Sequence, residues 1–385
     1  MRRVAVYAGV GKTLRAFGFD PETGALALRQ TVDDLANDCH YVAVHPNGRV
    51  LYAAQSETPP PRDRPLVSAI SAFAIDGAGA LARLGPSHVP PLLRAVHLSV
   101  DKNGRFLLMA HNFTESVSVL RLHSDGRLGE PVTQTAEASG LGFLVHQIRV
   151  DPTNRWVFVP VRGDDPPLDK PGHMVLFRID GDGVLSGRQV IDYPRMLGPR
   201  HVDFHPSKPL VYLAVERGNL LIAYRHDDGV LKERFRASTL EEPCFLFPDQ
   251  RAGAVRVHPS GRFLYVTNRN IAPCPASGTC REDHVFSGGE NSVAVFALDV
   301  DTGQPTLLQH VSAHGFEPRT MTIDPTGRFL IVANHKTVTE RRRDHLVRVA
   351  PNLSVFGIAA NGTLSYLRSY DQPDEAWWVG AVALK

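Results

Sequence analysis

Cysteine is scarce in this chain. Cys39, Cys244, Cys274 and Cys280 are spread over 385 residues, too few and too scattered for a disulfide framework. Cys274 and Cys280 flank a Pro-Ala-Ser-Gly-Thr loop, where the expectation is reduced thiols rather than a bridge or a metal pair. No uninterrupted apolar run reaches the ~18 residues of a membrane-spanning helix. Met1-Arg2-Arg3 and the apolar residues after it start like a secretion signal, but Lys12, Arg15 and Asp20 interrupt it, so the segment reads as a strand of a cytoplasmic protein. The net charge is +2 with no long block of either sign, which gives no warrant for nucleic acid or a membrane surface as partner. Gly9-Val10-Gly11-Lys12-Thr13 lacks the first glycine of a phosphate loop, Val6 standing there, and no helix signal follows.

What is present is repetition. His258-Pro259-Ser260-Gly261-Arg262 leads into the alternating apolar run Phe263 to Val266 and ends on Arg269. Variants begin at His45, Asp101, Asp151, His205 and Asp324, making six copies at roughly the period of a propeller blade. Each reads strand, tight turn, strand, because the turn residues reverse the chain and the β-branched and aromatic run fits a half-buried sheet. A second phrase, a short Asp/Gly turn, recurs seven times, near Asp20, Asp76, Asp125, Asp180, Asp227, Asp299 and Asn361. The second phrase occurs before any copy of the first, so one blade is cut open. Its missing inner strand can come from Trp377 to Leu384 pairing beside Val4 to Gly9, which closes a ring and protects its edges. The expectation is one domain over residues 1–385: an all-β, seven-bladed β-propeller of four-stranded antiparallel blades, closed by the C-terminal strand on the N-terminal blade.

With strands A to D running outward from the channel, the two phrases are the A–B and C–D turns and share one plain face. The longer connections, 56–68, 162–173, 270–291 and 335–352, fall on the other face, where function is expected. Aligned repeats place His40, Val96, His146, Arg200, Gly253 and Arg319 at the starts of strands A, and Ser56, Asn112, Arg162, Glu216, Arg269 and His335 at the ends of strands B. Antiparallel neighbours set these two rings side by side, so four arginines, three histidines and one glutamate gather at one mouth. Such a cationic collection in an otherwise apolar repeat predicts an anion-binding pocket. With one carboxylate in it, no divalent-metal cage is expected, nor any cofactor. His45, His205 and His258 lie at plain-face turns, as turn caps. His201, next to Arg200, is predicted to face the opposite side of its strand as a packed core residue. Glu340-Arg341-Arg342-Arg343-Asp344-His345 reads as a solvated loop.

Gly198-Pro199-Arg200-His201 followed by Phe204-His205-Pro206, the Val215-Glu216 strand end, His146 and Thr267-Asn268-Arg269 resemble the seven-bladed propeller lactonases. These comprise bacterial propeller-type 6-phosphogluconolactonases and the fungal carboxy-cis,cis-muconate cyclase, and the resemblance covers nearly the whole chain. It implies a catalytic set of Glu216, His146, Arg200 and Arg269; the remaining charged and histidine members of the two rings, His40, Arg162, Arg319 and His335, are expected to bind substrate. Opening a lactone needs an activated water and positive groups where the carbonyl oxygen gains charge. Either Glu216 or His146 can take the proton, and Arg200 and Arg269 can hold an oxyanion, carboxylate or phosphate. The resemblance implies metal-independent hydrolysis of a small anionic lactone, foremost 6-phosphogluconolactone. The alternatives are a muconate-type lactonising cyclase and a non-catalytic binding scaffold, in which Glu216, Arg200 and Arg269 merely knit blades together.

Overall fold

A computed structural model describes residues 3–58, 66–89, 94–164, 170–244, 247–274, 281 and 283–385. Their strands form seven four-stranded antiparallel sheets and one separate two-stranded hairpin. Blade 1 takes Val4–Val10, Thr13–Phe19 and Leu26–Val32, and its inner strand is the C-terminal Ala376–Ala383. The closing pair runs from Val4 opposite Ala383 to Gly9 opposite Trp378, as the cut-blade reading requires. Blades 2 to 7 follow over residues 39–83, 95–131, 149–192, 199–238, 251–312 and 316–371.

The repeated turns hold neighbouring blades together. Where the first phrase opens with histidine, the ring reaches the next blade: His45, His205 and His258 bond through Nε2 to the carbonyls of Gly104, Gly261 and Gly327 at 2.8–3.0 Å. Where it opens with aspartate, the carboxylate caps its own turn, as Asp101 Oδ1 does in accepting from the backbone N–H groups of Arg105 and Phe106. The glycines of these turns, Gly48, Gly104, Gly261 and Gly327, have φ between 69° and 74°, a region costly for a side chain with Cβ. A second latch joins four blade pairs: Tyr7, Tyr52, Tyr212 and Tyr265 donate their hydroxyls to the carbonyls of Gly79, Gly126, Gly303 and Gly362. The apolar core lies between blades, for example Leu108 and Val119 of blade 3 against Val157 and Phe177 of blade 4. Each blade therefore buries one face of its sheet only when its neighbours are present.

The long B–C connections gather on the face away from these turns. The one between Phe329–Lys336 and Asn352–Ile358 carries the hairpin Val338–Arg342 with His345–Val349. The charge run read as a loop is thus the tip of a β-hairpin, exposed from Arg341 to Leu346. Phe286 donates its backbone N–H to the Thr339 carbonyl, docking this hairpin on the blade 6 connection. The thiol expectation needs correction. Cys274 is buried and disulfide-bonded, while Cys39 and Cys244 are free. Cys280 lies outside the described residues.

Candidate active site

The inner strands start irregularly, and that irregularity builds the site. The pairing of strands A and B skips one residue at His40, Val96, Arg200 and Arg319, and at Trp377 in the closing strand. In blade 6 it skips Gly253 and Ala254. Each is a β-bulge, which adds an unpaired residue, bends the strand and re-aims side chains toward the channel. In blade 4 the inner strand is broken instead: Val145 bridges Val161, and regular pairing resumes at Arg149. The predicted ring of strand-A starts is therefore bulged in every blade but the fourth, and Trp377 is its seventh member. Gly253 has no room for more, since a Cβ there would stand 2.2 Å from Thr267 Oγ1.

At the neck of the channel these residues enclose a cavity. Four of the eight predicted site residues line it: His40, His146, Arg200 and Arg319. Tyr41, Arg94, Val96, Asn112, His201, Thr320 and Trp377 complete the wall. His201 was expected on the far side of its strand, but the bulge at Arg200 brings both residues to the cavity, with Arg200 Nη1 3.2 Å from His201 Nδ1. Its ring also lies 5.1 Å from that of His146, centroid to centroid. The His146 imidazole makes no hydrogen bond among the described residues, and its Nδ1 is buried without a partner. Burial, and then the Arg200 guanidinium, push the imidazole well below its ordinary pKa of 6.5, so it is neutral at pH 7.

Glu216, Arg162 and Arg269 stand behind this wall. Glu216 has no accessible surface. Its Oε1 lies 2.8 Å from Arg162 Nη1, and its Oε2 lies 2.9 Å from both Arg200 Nε and Arg269 Nη2. Burial alone would raise this carboxyl, but Arg269, Arg162, Arg200 and Arg251 hold it well below the usual carboxylate range. Arg269 also pairs with Glu317, a second buried carboxylate that repeat alignment overlooks. Glu317 sits two residues before the aligned ring position Arg319, at a left-handed φ of 55°, and its side chain reaches Arg269 of blade 6. The ion network thus runs from Arg162 in blade 4 to Glu317 in blade 7. His335, the eighth predicted residue, packs on the Trp377 ring at 4.0 Å and lies 3.5 Å from Glu375. Arg319 covers the same indole at 5.0 Å. Among the described residues no three His, Cys, Asp or Glu converge as metal ligands.

Sequence reasoning missed His201, Arg94, Glu317, Arg251 and Trp377. Trp377 was within reach, because aligning the closing strand as a seventh strand A puts it in the ring. Arg94 precedes its strand in a connection that no repeat phrase marks.

A seven-bladed ring with one plain face of turns and, on the other, a neck whose cavity is walled by histidine and arginine is a β-propeller with a polar, cationic channel mouth. Its relatives say which kind. A family model described as "Lactonase, 7-bladed beta-propeller" matches residues 3–344, and the chain belongs to that family. It is 29% identical over 365 residues to the 6-phosphogluconolactonase of Pectobacterium carotovorum, covering 94% of this chain and 93% of the relative. To the Bacillus subtilis 6-phosphogluconolactonase it is 28% identical over 344 residues, 86% of each chain. Among solved structures it is similar in fold to the Pseudomonas aeruginosa periplasmic gluconolactonase PpgL, with a TM-score of 0.77, 21% identity and all of both chains covered. No helix of the described residues is long and apolar enough to cross a membrane.

Proposed function

We propose that this lactonase hydrolyses 6-phosphogluconolactone to 6-phosphogluconate, with His146 as general base and Arg200 facing the developing oxyanion. One observation carries the assignment: a neutral, unbonded imidazole shares the cavity with a guanidinium whose position is fixed from behind by a buried carboxylate. Water held at the His146 ring gives up a proton as its oxygen bonds to the lactone carbonyl carbon. The resulting alkoxide faces Arg200, where a positioned donor is typically worth about 10²–10³ in rate. When the ring C–O bond breaks, the imidazolium returns the proton to the leaving oxygen, leaving a hydroxyl and a carboxylic acid, which then loses its proton to water to become the carboxylate.

Glu216 and Arg269 have positioning roles in this reading. Both oxygens of Glu216 face guanidinia, so it keeps Arg200 charged and aimed while touching no substrate. His40 and Arg319 contact substrate from the opposite wall, Arg162 helps hold Glu216, and His335 backs Trp377. We expect no metal or cofactor to take part, and activity to survive chelation. A muconate-type cyclase or a scaffold makes different predictions for a lactone panel. The proposal expects turnover of 6-phosphogluconolactone above the spontaneous rate; no turnover of any lactone in the panel would refute it. The phosphorylated substrate goes with the cytoplasmic setting expected from the sequence. A second reading, hydrolysis of an unphosphorylated gluconolactone in an oxidising compartment, is favoured by the Cys274 disulfide.

A further inference from the structure

The charges around the cavity do not balance, and the surplus lies on one side. Arg162, Arg200 and Arg269 all reach Glu216, and Arg319 Nη1 lies 3.7 Å from Glu317. Arg94 is different. It is 7% exposed, lines the cavity, and among the described residues has no carboxylate within ion-pair distance. Its partners are neutral: Nε donates to Ser56 Oγ at 3.1 Å, and Nη2 donates to Thr58 Oγ1 at 2.6 Å and lies 3.4 Å from His40 Nε2. Its Nη1 makes no hydrogen bond within the described structure. The Phe113 ring faces its central carbon at 5.3 Å.

A buried cation without a counter-charge is costly, and such groups are ordinarily paired or coordinated. Here the hydroxyls of Ser56 and Thr58 hold the guanidinium at Nε and Nη2 and leave Nη1 without a protein partner among the described residues. Burial and the field of Arg319 lower Arg94 to about 9, while Asp38 acts on it from beyond ion-pair distance. Arg94 and Arg319 belong to the wall made by blades 7, 1, 2 and 3, opposite His146 and Arg200 of blades 4 and 5. The indole Nε1 of Trp377, on the same side, is buried with no partner. Resting on the lactonase reading above, we propose that Arg94, with Arg319, is the subsite for the phosphate of a phosphorylated lactone and sets the preference for it over the unphosphorylated sugar. Two guanidinia are matched by a phosphomonoester, which carries about −1.5 to −2 at pH 7, better than by a carboxylate.

The test reads binding rather than turnover, so it stands apart from the hydrolase proposal. Titration calorimetry at low salt compares inorganic phosphate, 6-phosphogluconate and gluconate on the parent, Arg94→Gln and Thr58→Val, with a thermal melt of each. The parent should bind 6-phosphogluconate more tightly than gluconate. Arg94→Gln should weaken phosphate and 6-phosphogluconate by about 10- to 100-fold, the loss of charge-assisted hydrogen bonds. Thr58→Val should show a smaller loss of the same sign. Because no acid is orphaned, Arg94→Gln should melt at or above the parent temperature. The inference is overturned if Arg94→Gln binds phosphate as the parent does, if the parent does not distinguish 6-phosphogluconate from gluconate, or if the substitution lowers the melt and leaves binding unchanged. Binding as expected in a protein that turns over no lactone would remove the hydrolase reading and leave the anion subsite standing.

Discussion

At the scale of single residues, burial separates two groups that the sequence leaves equivalent. Glu216 and His146 both fall in the aligned rings, and nothing in their neighbours says which is accessible. Strand ends two blades apart do not reveal that four arginines converge on one carboxylate, or that one imidazole is left alone. Glu216→Gln removes the charge that Arg162, Arg200 and Arg269 share, and breaking a buried ion pair from one side costs about 3–5 kcal/mol. A thermal or denaturant melt of that variant should show a clear loss of stability along with the loss of activity. His146 predicts a pH dependence. The base must be neutral, and its pKa lies well below 6.5, so the acid limb of kcat/KM should fall below pH 6.5. A limb centred at or above 6.5 would remove His146 from that role.

At the scale of elements, the turn phrases carry their blades legibly because turn chemistry is local. His45, Asp101 and their equivalents bond within a few residues or to the next copy of the same turn. The bulges are less legible, since each depends on the register between two strands and not on either strand alone. Alternation along Pro199–Phe204 sends His201 away from Arg200, and one unpaired residue reverses that expectation. The closing strand was readable from the unequal number of phrases. Deleting Trp377 onward should strip blade 1 of its inner strand and abolish cooperative melting or solubility; an unchanged melt would contradict the closure. The tyrosine latches are weaker. Tyr52→Phe removes one buried hydrogen bond to Gly126 and should cost about 1 kcal/mol in a denaturant titration.

At the scale of the whole molecule, the channel stores neutral histidines. His40, His97, His146, His201 and His335 are all pushed well below 6.5, in each case first by burial. Below pH 6.5 the unfolded chain binds protons that the folded one refuses, so stability falls as pH falls, by about 1.4 kcal/mol per unit for each histidine. The lowered carboxyls of Glu216 and Glu317 act later, their contribution being lost only below the ordinary value of 4.5. The melting temperature should therefore start to drop between pH 6.5 and 5, ahead of carboxylate titration. A melt flat to pH 5 would contradict this picture of the channel.

The central claim is that the broken inner strand of blade 4 places His146 beside Arg200 to open a lactone. The most direct measurement is the turnover of 6-phosphogluconolactone, above its spontaneous hydrolysis, by the parent and by His146→Gln, each checked by its melt. A positioned base is typically worth about 10²–10⁴ in rate. The parent should turn the lactone over, and the variant should lose kcat by about that factor with its melt nearly unchanged. A folded His146→Gln protein working at the parent rate would contradict the account.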